Sequence, residues 1–77
     1  MSDQILAPLP GVFYRRPSPN EAPYVEEGGQ VQAGDPIGMI EVMKSFSLIE
    51  ASSSGAIHFL VEDGGIVDVD EPIAELT

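Results

Sequence analysis

The sequence predicts an all-β barrel or sandwich built from two similar halves, on three observations. A segment recurs: Val25-Glu26-Glu27-Gly28-Gly29-Gln30-Val31-Gln32-Ala33-Gly34-Asp35-Pro36-Ile37 returns 36 positions later as Val61-Glu62-Asp63-Gly64-Gly65-Ile66-Val67-Asp68-Val69-Asp70-Glu71-Pro72-Ile73. Each copy carries the same punctuation, a Gly-Gly pair for a tight turn and an acid-Pro pair before the next apolar run. Finally, apolar residues fall in short runs between these turns, and no stretch shows the 3.6-residue stripe of an amphipathic helix. Neither half could bury its apolar face alone, so the two are expected to close on each other.

In chain order the expected strands are Ile5–Ala7, Val12–Tyr14, Gln30–Gln32, Ile37–Val42, Phe46–Ala51, Ala56–Val61, Ile66–Asp68 and Ile73–Leu76. The first two lie either side of a Pro-Leu-Pro-Gly break. Their second-half equivalents begin at Phe46 and Ala56, since Ala7 and Gly11 are spaced as Ala51 and Gly55 are. Gly11 precedes Val25 by 14 positions whereas Gly55 precedes Val61 by 6, so the first half holds eight extra residues, placed at Arg15-Arg16-Pro17-Ser18-Pro19-Asn20-Glu21-Ala22. The third and fourth strands are the Gln30 and Ile37 runs, and the seventh and eighth repeat them. Between the halves, apolar strands lead into and out of Met43-Lys44-Ser45, which is therefore a hairpin. Its counterpart in the repeat is the pair of chain ends.

The chain has 77 residues, enough for one small domain, 1–77, and no cysteine, which rules out disulfide and thiolate chemistry. Three basic against thirteen acidic side chains give a net charge of −10, which repels phosphate backbones and argues against nucleic acid. No apolar run approaches a membrane span and no signal pattern opens the chain, so no membrane partner and a cytoplasmic location are expected.

Lys44 is the only lysine, so an acylating enzyme meets no competing side-chain amine. A lysine amine is protonated at neutral pH, and an activating partner must help it attack. From position alone, an ordinary solvated turn lysine and an acylation site fit equally well. The single histidine, His58, lies in a strand pattern with no nucleophile beside it in sequence, and a structural or surface role is expected. Ser52-Ser53-Ser54 reads as a turn. Asp63, Asp68, Asp70 and Glu71 lack the ligand spacing of a calcium loop and read as solvated charges. Arg15 and Arg16 head the insertion, where either a local salt bridge or a partner contact suits them.

Glu41-Val42-Met43-Lys44 resembles the Glu-Ala/Val-Met-Lys-Met signature of biotinyl domains, in which the lysine receives biotin. Ala7-Pro8-Leu9-Pro10-Gly11-Val12-Phe13-Tyr14-Arg15 is similar to the opening of biotin carboxyl carrier domains, and Arg16 to Ala22 to the protruding thumb of the bacterial-type acetyl-CoA carboxylase carrier. The resemblance runs from Ile5 to Leu76. It implies a flattened barrel of two four-stranded antiparallel sheets and a lysine carrying covalent biotin as its cofactor. Glu41, Val42, Met43 and Ser45 would flank that lysine for recognition by a biotin protein ligase. Arg15, Arg16, Pro17, Ser18, Pro19 and Asn20 would form the thumb's partner contact. It further implies a non-catalytic carrier that moves carboxybiotin from a biotin carboxylase to a carboxyltransferase, most naturally for acetyl-CoA in fatty acid synthesis. Ser45 departs from the signature, standing where the family usually has Met. A lipoyl carrier shares the fold and the hairpin lysine, but typically places a polar residue where Met43 stands. An unmodified interaction module of the same fold is the remaining alternative.

Overall fold

The computed structural model describes residues 3–77. Eight strands appear in the expected order: β1 (Asp3–Leu6), β2 (Gly11–Tyr14), β3 (Gln30–Val31), β4 (Pro36–Val42), β5 (Ser45–Glu50), β6 (Gly55–Phe59), β7 (Gly65–Val67) and β8 (Pro72–Leu76). Boundaries differ from the sequence reading by one or two residues. The largest differences, two residues each, are at the start of β1 and at the end of β6, which stops at Phe59 although Leu60 N–H still reaches Ile73 O of β8 at 2.7 Å.

The strands form two four-stranded antiparallel sheets, β1-β8-β6-β3 and β5-β4-β2-β7. Each sheet draws two strands from each half of the sequence, so the halves interlock. The first and last strands, β1 and β8, do stand where the hairpin's counterpart should be. β1 pairs antiparallel with β8 (Asp3 opposite Leu76) as β4 pairs with β5 (Val42 opposite Ser45).

The core repeats the same relation side chain by side chain. Buried residues fall into equivalent pairs: Ile5 with Ile49, Ala7 with Ala51, Phe13 with Ile57, Val31 with Val67, Ile37 with Ile73, and Ile40 with Leu76. One position breaks the pattern. Ala74 is buried, and its counterpart is Gly38, where a Cβ would come within 2.6 Å of two atoms of the Phe13 ring. The larger ring in the first half is accommodated by a missing methyl opposite it, as close packing demands.

The turns are equivalent too. Gly28 and Gly64, the first residue of each Gly-Gly pair, hold φ of 81° and 83°, a region that L side chains enter only at a cost. At the following turn Gly34 (φ 93°) corresponds to Asp70 (φ 64°). Gly34 N–H bonds to Ala51 O, and Asp70 N–H bonds to the matching Ala7 O.

Candidate functional site

β4 and β5 are the longest strands and are joined by two residues only, Met43 and Lys44. Both have positive φ, 50° and 67°, the signature of a type I′ turn, whose twist matches that of the flanking strands. Asn or Gly usually fills such positions. Two L side chains with longer stems hold the left-handed region here at a cost of roughly 1–2 kcal/mol each. The ladder behind them compensates, with six paired positions from Pro36–Glu50 to Val42–Ser45 and Val42 packed against the core.

The result is a rigid pedestal. Met43 is 93% exposed, and Lys44 and Ser45 are exposed beside it, so the amine is reachable by an outside enzyme. Of the other expected flanking residues, Val42 is half-buried and packs inward, whereas Glu41 sits half-buried on the outer face, paired across to Phe46 on one side and Val12 on the other.

The insertion after β2 forms a closed loop. Tyr24 N–H donates to Arg15 O at 2.9 Å across its base, and Arg16 Nη1 donates to Glu21 O at 3.3 Å within it. Arg16, Pro17, Ser18 and Pro19 form one wall of a groove of about 610 Å³, whose floor is Tyr14, Met39, Glu41 and Phe46. Arg15 turns away from this groove: its guanidinium carbon lies 4.2 Å from the Phe59 ring centroid, and Nη2 donates to Val25 O at 3.4 Å. Asn20 is exposed beyond the groove lining. The structure thus brings Lys44 and its neighbours to the tip of the sheet whose flank the loop overhangs.

Asp63 is an exposed loop charge, as the sequence reading expects, and it also makes two contacts that reading does not foresee. Its Oδ1 accepts the Arg15 N–H at 2.7 Å and its Oδ2 lies 3.6 Å from Arg16 Nε, so one carboxylate from the second half fastens the first-half insertion at its root. Its counterpart Glu27 does the same in reverse. Glu27 Oε1 accepts the Phe59 N–H at 2.7 Å and Oε2 accepts from His58 Nδ1 at 2.9 Å. The Phe59 N–H, followed by the His58 side chain, holds the Glu27 carboxyl below its ordinary range by favouring the charged form. The matched charges at an offset of 36 were the sequence signal for this pair of clasps.

His58 is thereby placed in a structural contact, and Ser53 Oγ is hydrogen-bonded to Asp3 Oδ2 at 2.8 Å, so hydroxyl and imidazole are engaged separately. Among the described residues, no group of three or more His, Asp or Glu side chains is arranged to hold a metal ion. Nor, among those residues, is any helix long and apolar enough to cross a membrane. The arrangement presents one primary amine on a stiff turn beside an apolar groove, which fits a covalently attached prosthetic group.

Comparison with known proteins agrees. The family model described as "Biotin-requiring enzyme" matches residues 3–76. The chain is 47% identical over 68 residues to the biotin carboxyl carrier protein of acetyl-CoA carboxylase 2, chloroplastic, of Arabidopsis thaliana, a match covering 87% of this chain and 27% of that protein. It is 40% identical over 70 residues to the biotin carboxyl carrier protein of acetyl-CoA carboxylase of Haemophilus influenzae, covering 90% and 45% respectively. The chain therefore spans less than half the length of these two relatives. Among solved structures it is similar to the urea carboxylase of Kluyveromyces lactis, with a TM-score of 0.74 and 26% identity, covering the whole chain and 6% of that protein. With an all-β barrel of two interlocked four-stranded sheets, a single lysine on its hairpin turn and a family match along nearly its whole length, the chain belongs to the biotin-requiring (biotinyl/lipoyl) family.

Proposed function

We propose that residues 1–77 form one biotin carboxyl carrier domain, that biotin is joined by an amide to Lys44, and that the domain serves an acetyl-CoA carboxylase in the cytoplasm. The observation that carries this reading is the exposed Lys44 on its two-residue turn, in a chain with no other lysine. The relatives named as carrier proteins of acetyl-CoA carboxylase support the choice of enzyme.

When attached, the ureido ring of biotin supplies a nitrogen that accepts a carboxyl group and gives it up again. The chain's own residues contribute positioning. β4 and β5 hold the amine clear of the barrel, and the tight turn keeps its backbone from folding back. Met43 and Ser45 offer the ligase a thioether and a hydroxyl either side of the lysine, with Glu41 and Val42 behind them. Biotin carboxylase and carboxyltransferase are the partners that would use the loaded arm. Tethering raises the local concentration of the reacting group at each of them. Arg16, Pro17, Ser18, Pro19 and Asn20 would touch those enzymes, with Arg15 bracing the loop from beneath. The domain is a substrate and carrier rather than a catalyst.

Co-expression with a biotin protein ligase tests the assignment. Intact mass should rise by one biotinyl group, and Lys44→Arg should abolish the rise. No label on a folded wild-type chain after active ligase treatment would turn the reading toward an unmodified module, and a lipoyl increment toward the dehydrogenase-type carrier. Deleting residues 16–22 should leave a folded barrel, because the second half closes its equivalent turn without them, while carboxylase turnover falls. Global unfolding of the deletion would make the insertion part of the core.

A further inference from the structure

The two sheets occupy equivalent places in the fold, so equivalent rows on their outer faces reveal what the barrel itself requires of its surface. Residues directly opposite on antiparallel neighbours share a face. On the β5-β4-β2-β7 sheet one outer row runs Leu48, Met39, Tyr14, and a second runs Phe46, Glu41, Val12, Ile66. On the other sheet the equivalents of the first row are Gln4, Glu75 and His58, and the equivalents of Glu41, Val12 and Ile66 are Thr77, Ala56 and Gln30. In these rows the same backbone carries small or polar side chains on one face and, around Glu41, large mostly apolar ones on the other; outside them, the first face also exposes Leu6, beside Pro72. Phe46, Leu48 and Ile66 are 59%, 54% and 83% exposed. The barrel does not require them, and an exposed apolar patch of this kind marks an interaction site.

We propose that the outer face of the β5-β4-β2-β7 sheet is the docking surface for the biotin carboxylase, whose facing surface presents apolar side chains ringed by arginine or lysine. This rests on the carrier reading above. Charge complementarity selects the partner. The chain carries −10, and Glu41 lies in the middle of the apolar rows with no cation paired to it among the described residues, so a second copy would set acid against acid. An enzyme that gathers ATP and bicarbonate, both anions, must be positive around its entrance. Before the carboxyl group is loaded the arm is neutral and offers that enzyme no charge to hold, so affinity must come from the domain's own surface. Distance distinguishes this contact from acylation. The Leu48 row lies four residues along β5 from Lys44, about 13 Å at roughly 3.3 Å per residue. A ligase must close on the amine itself, whereas an enzyme acting at the far end of the arm stands off by that arm's length. The rows span four strands, about 14 Å at roughly 4.8 Å per strand. So small a patch suits a transient complex, as a carrier that must leave each cycle requires.

The test uses the whole chain, biotinylated, as substrate for biotin carboxylase with ATP and bicarbonate, following ADP release. Phe46→Ser with Leu48→Ser should raise KM about tenfold, the loss expected for two half-exposed apolar anchors, with kcat within about twofold. Gln4→Ser with Gln30→Ser on the opposite face should change neither. Ile66→Ser, at the far edge, should raise KM about threefold and carries the test should the double variant fail to fold. An unchanged KM in both face variants overturns the proposal. So does a rise confined to the carboxyltransferase half-reaction, or a concentration-dependent dimer of the wild type that the substitutions dissolve. Intact mass, taken before the kinetics, separates the two levels: a wild-type chain that takes no biotin removes the carrier reading and this inference with it, whereas a labelled chain with an insensitive KM removes the inference alone.

Discussion

Glu27 and Asp63 occupy the same position in the two halves and accept the same hydrogen bond, from the N–H of Phe59 and of Arg15 respectively. The chain takes different paths beyond those two N–H groups. After Phe59 it turns directly into β7, whereas after Arg15 it leaves the barrel as a loop and returns at Tyr24. One clasp closes a turn, and the other anchors an overhanging wall. The difference shows how a duplicated fold acquires a working side: the hydrogen-bonding scaffold stays common to both halves, while insertions and outward-facing side chains diverge.

The sharpest way to break that equivalence lies in the core. Gly38→Ala drives a methyl into the Phe13 ring and should destabilise the fold by about 3 kcal/mol, read from the denaturant midpoint. Adding Phe13→Ile installs the combination that the second half already uses at Ala74 and Ile57, and should recover part of the loss. No recovery would place the conflict on the Tyr14 carbonyl oxygen, 2.7 Å from the added methyl, rather than on the ring. Next in size, Gly28→Val and Gly64→Val should each cost roughly 1–2 kcal/mol, because both positions hold positive φ with open space around them. Unequal melting shifts would show that the two turns are not equivalent.

Smaller effects separate the clasps. Asp63→Ala removes the acceptor for Arg15 N–H and should cost about 1 kcal/mol. Its signature is faster amide exchange at Arg15 and Tyr24 with little change at β6. Glu27 adds a pH dependence whose sign is set by its lowered pKa. A carboxyl that is more acidic folded than unfolded stabilises the fold above its ordinary value near 4.5 and loses that contribution as pH falls through the folded value. Wild type should therefore lose more stability than Glu27→Gln over the acid limb below about pH 4.5, with the two curves parallel above it. Parallel curves throughout would mean that the Phe59 clasp contributes nothing to acid stability.

Much of this was legible before any coordinates. The offset of 36 located the turns and the strands that follow them, because Gly-Gly and acid-Pro pairs have few conformational uses and recur in both halves; short apolar runs located the other strands and the hairpin. The overhanging loop came from the spacing of Gly11 and Gly55. Partnership between strands was not legible: β3 bonding to β6 and β7 to β2 links residues far apart in sequence, and a repeat fixes equivalence without fixing adjacency. The outer rows were hidden for the same reason, since Phe46, Glu41, Val12 and Ile66 become a line only when four strands are laid side by side. Asp63 is exposed, as a carboxylate near a Gly-Gly turn usually is, and only its charge match with Glu27 signals in the sequence that it also closes a clasp.

The two-residue turn sets a limit on travel. With both left-handed positions filled by L residues and the ladder closed directly behind them, the backbone at the tip has no slack to give. On the attachment to Lys44 proposed above, every ångström that the ring moves relative to the barrel would come from rotations within the lysine stem and what extends it, and any longer journey would be made by the barrel moving as a whole.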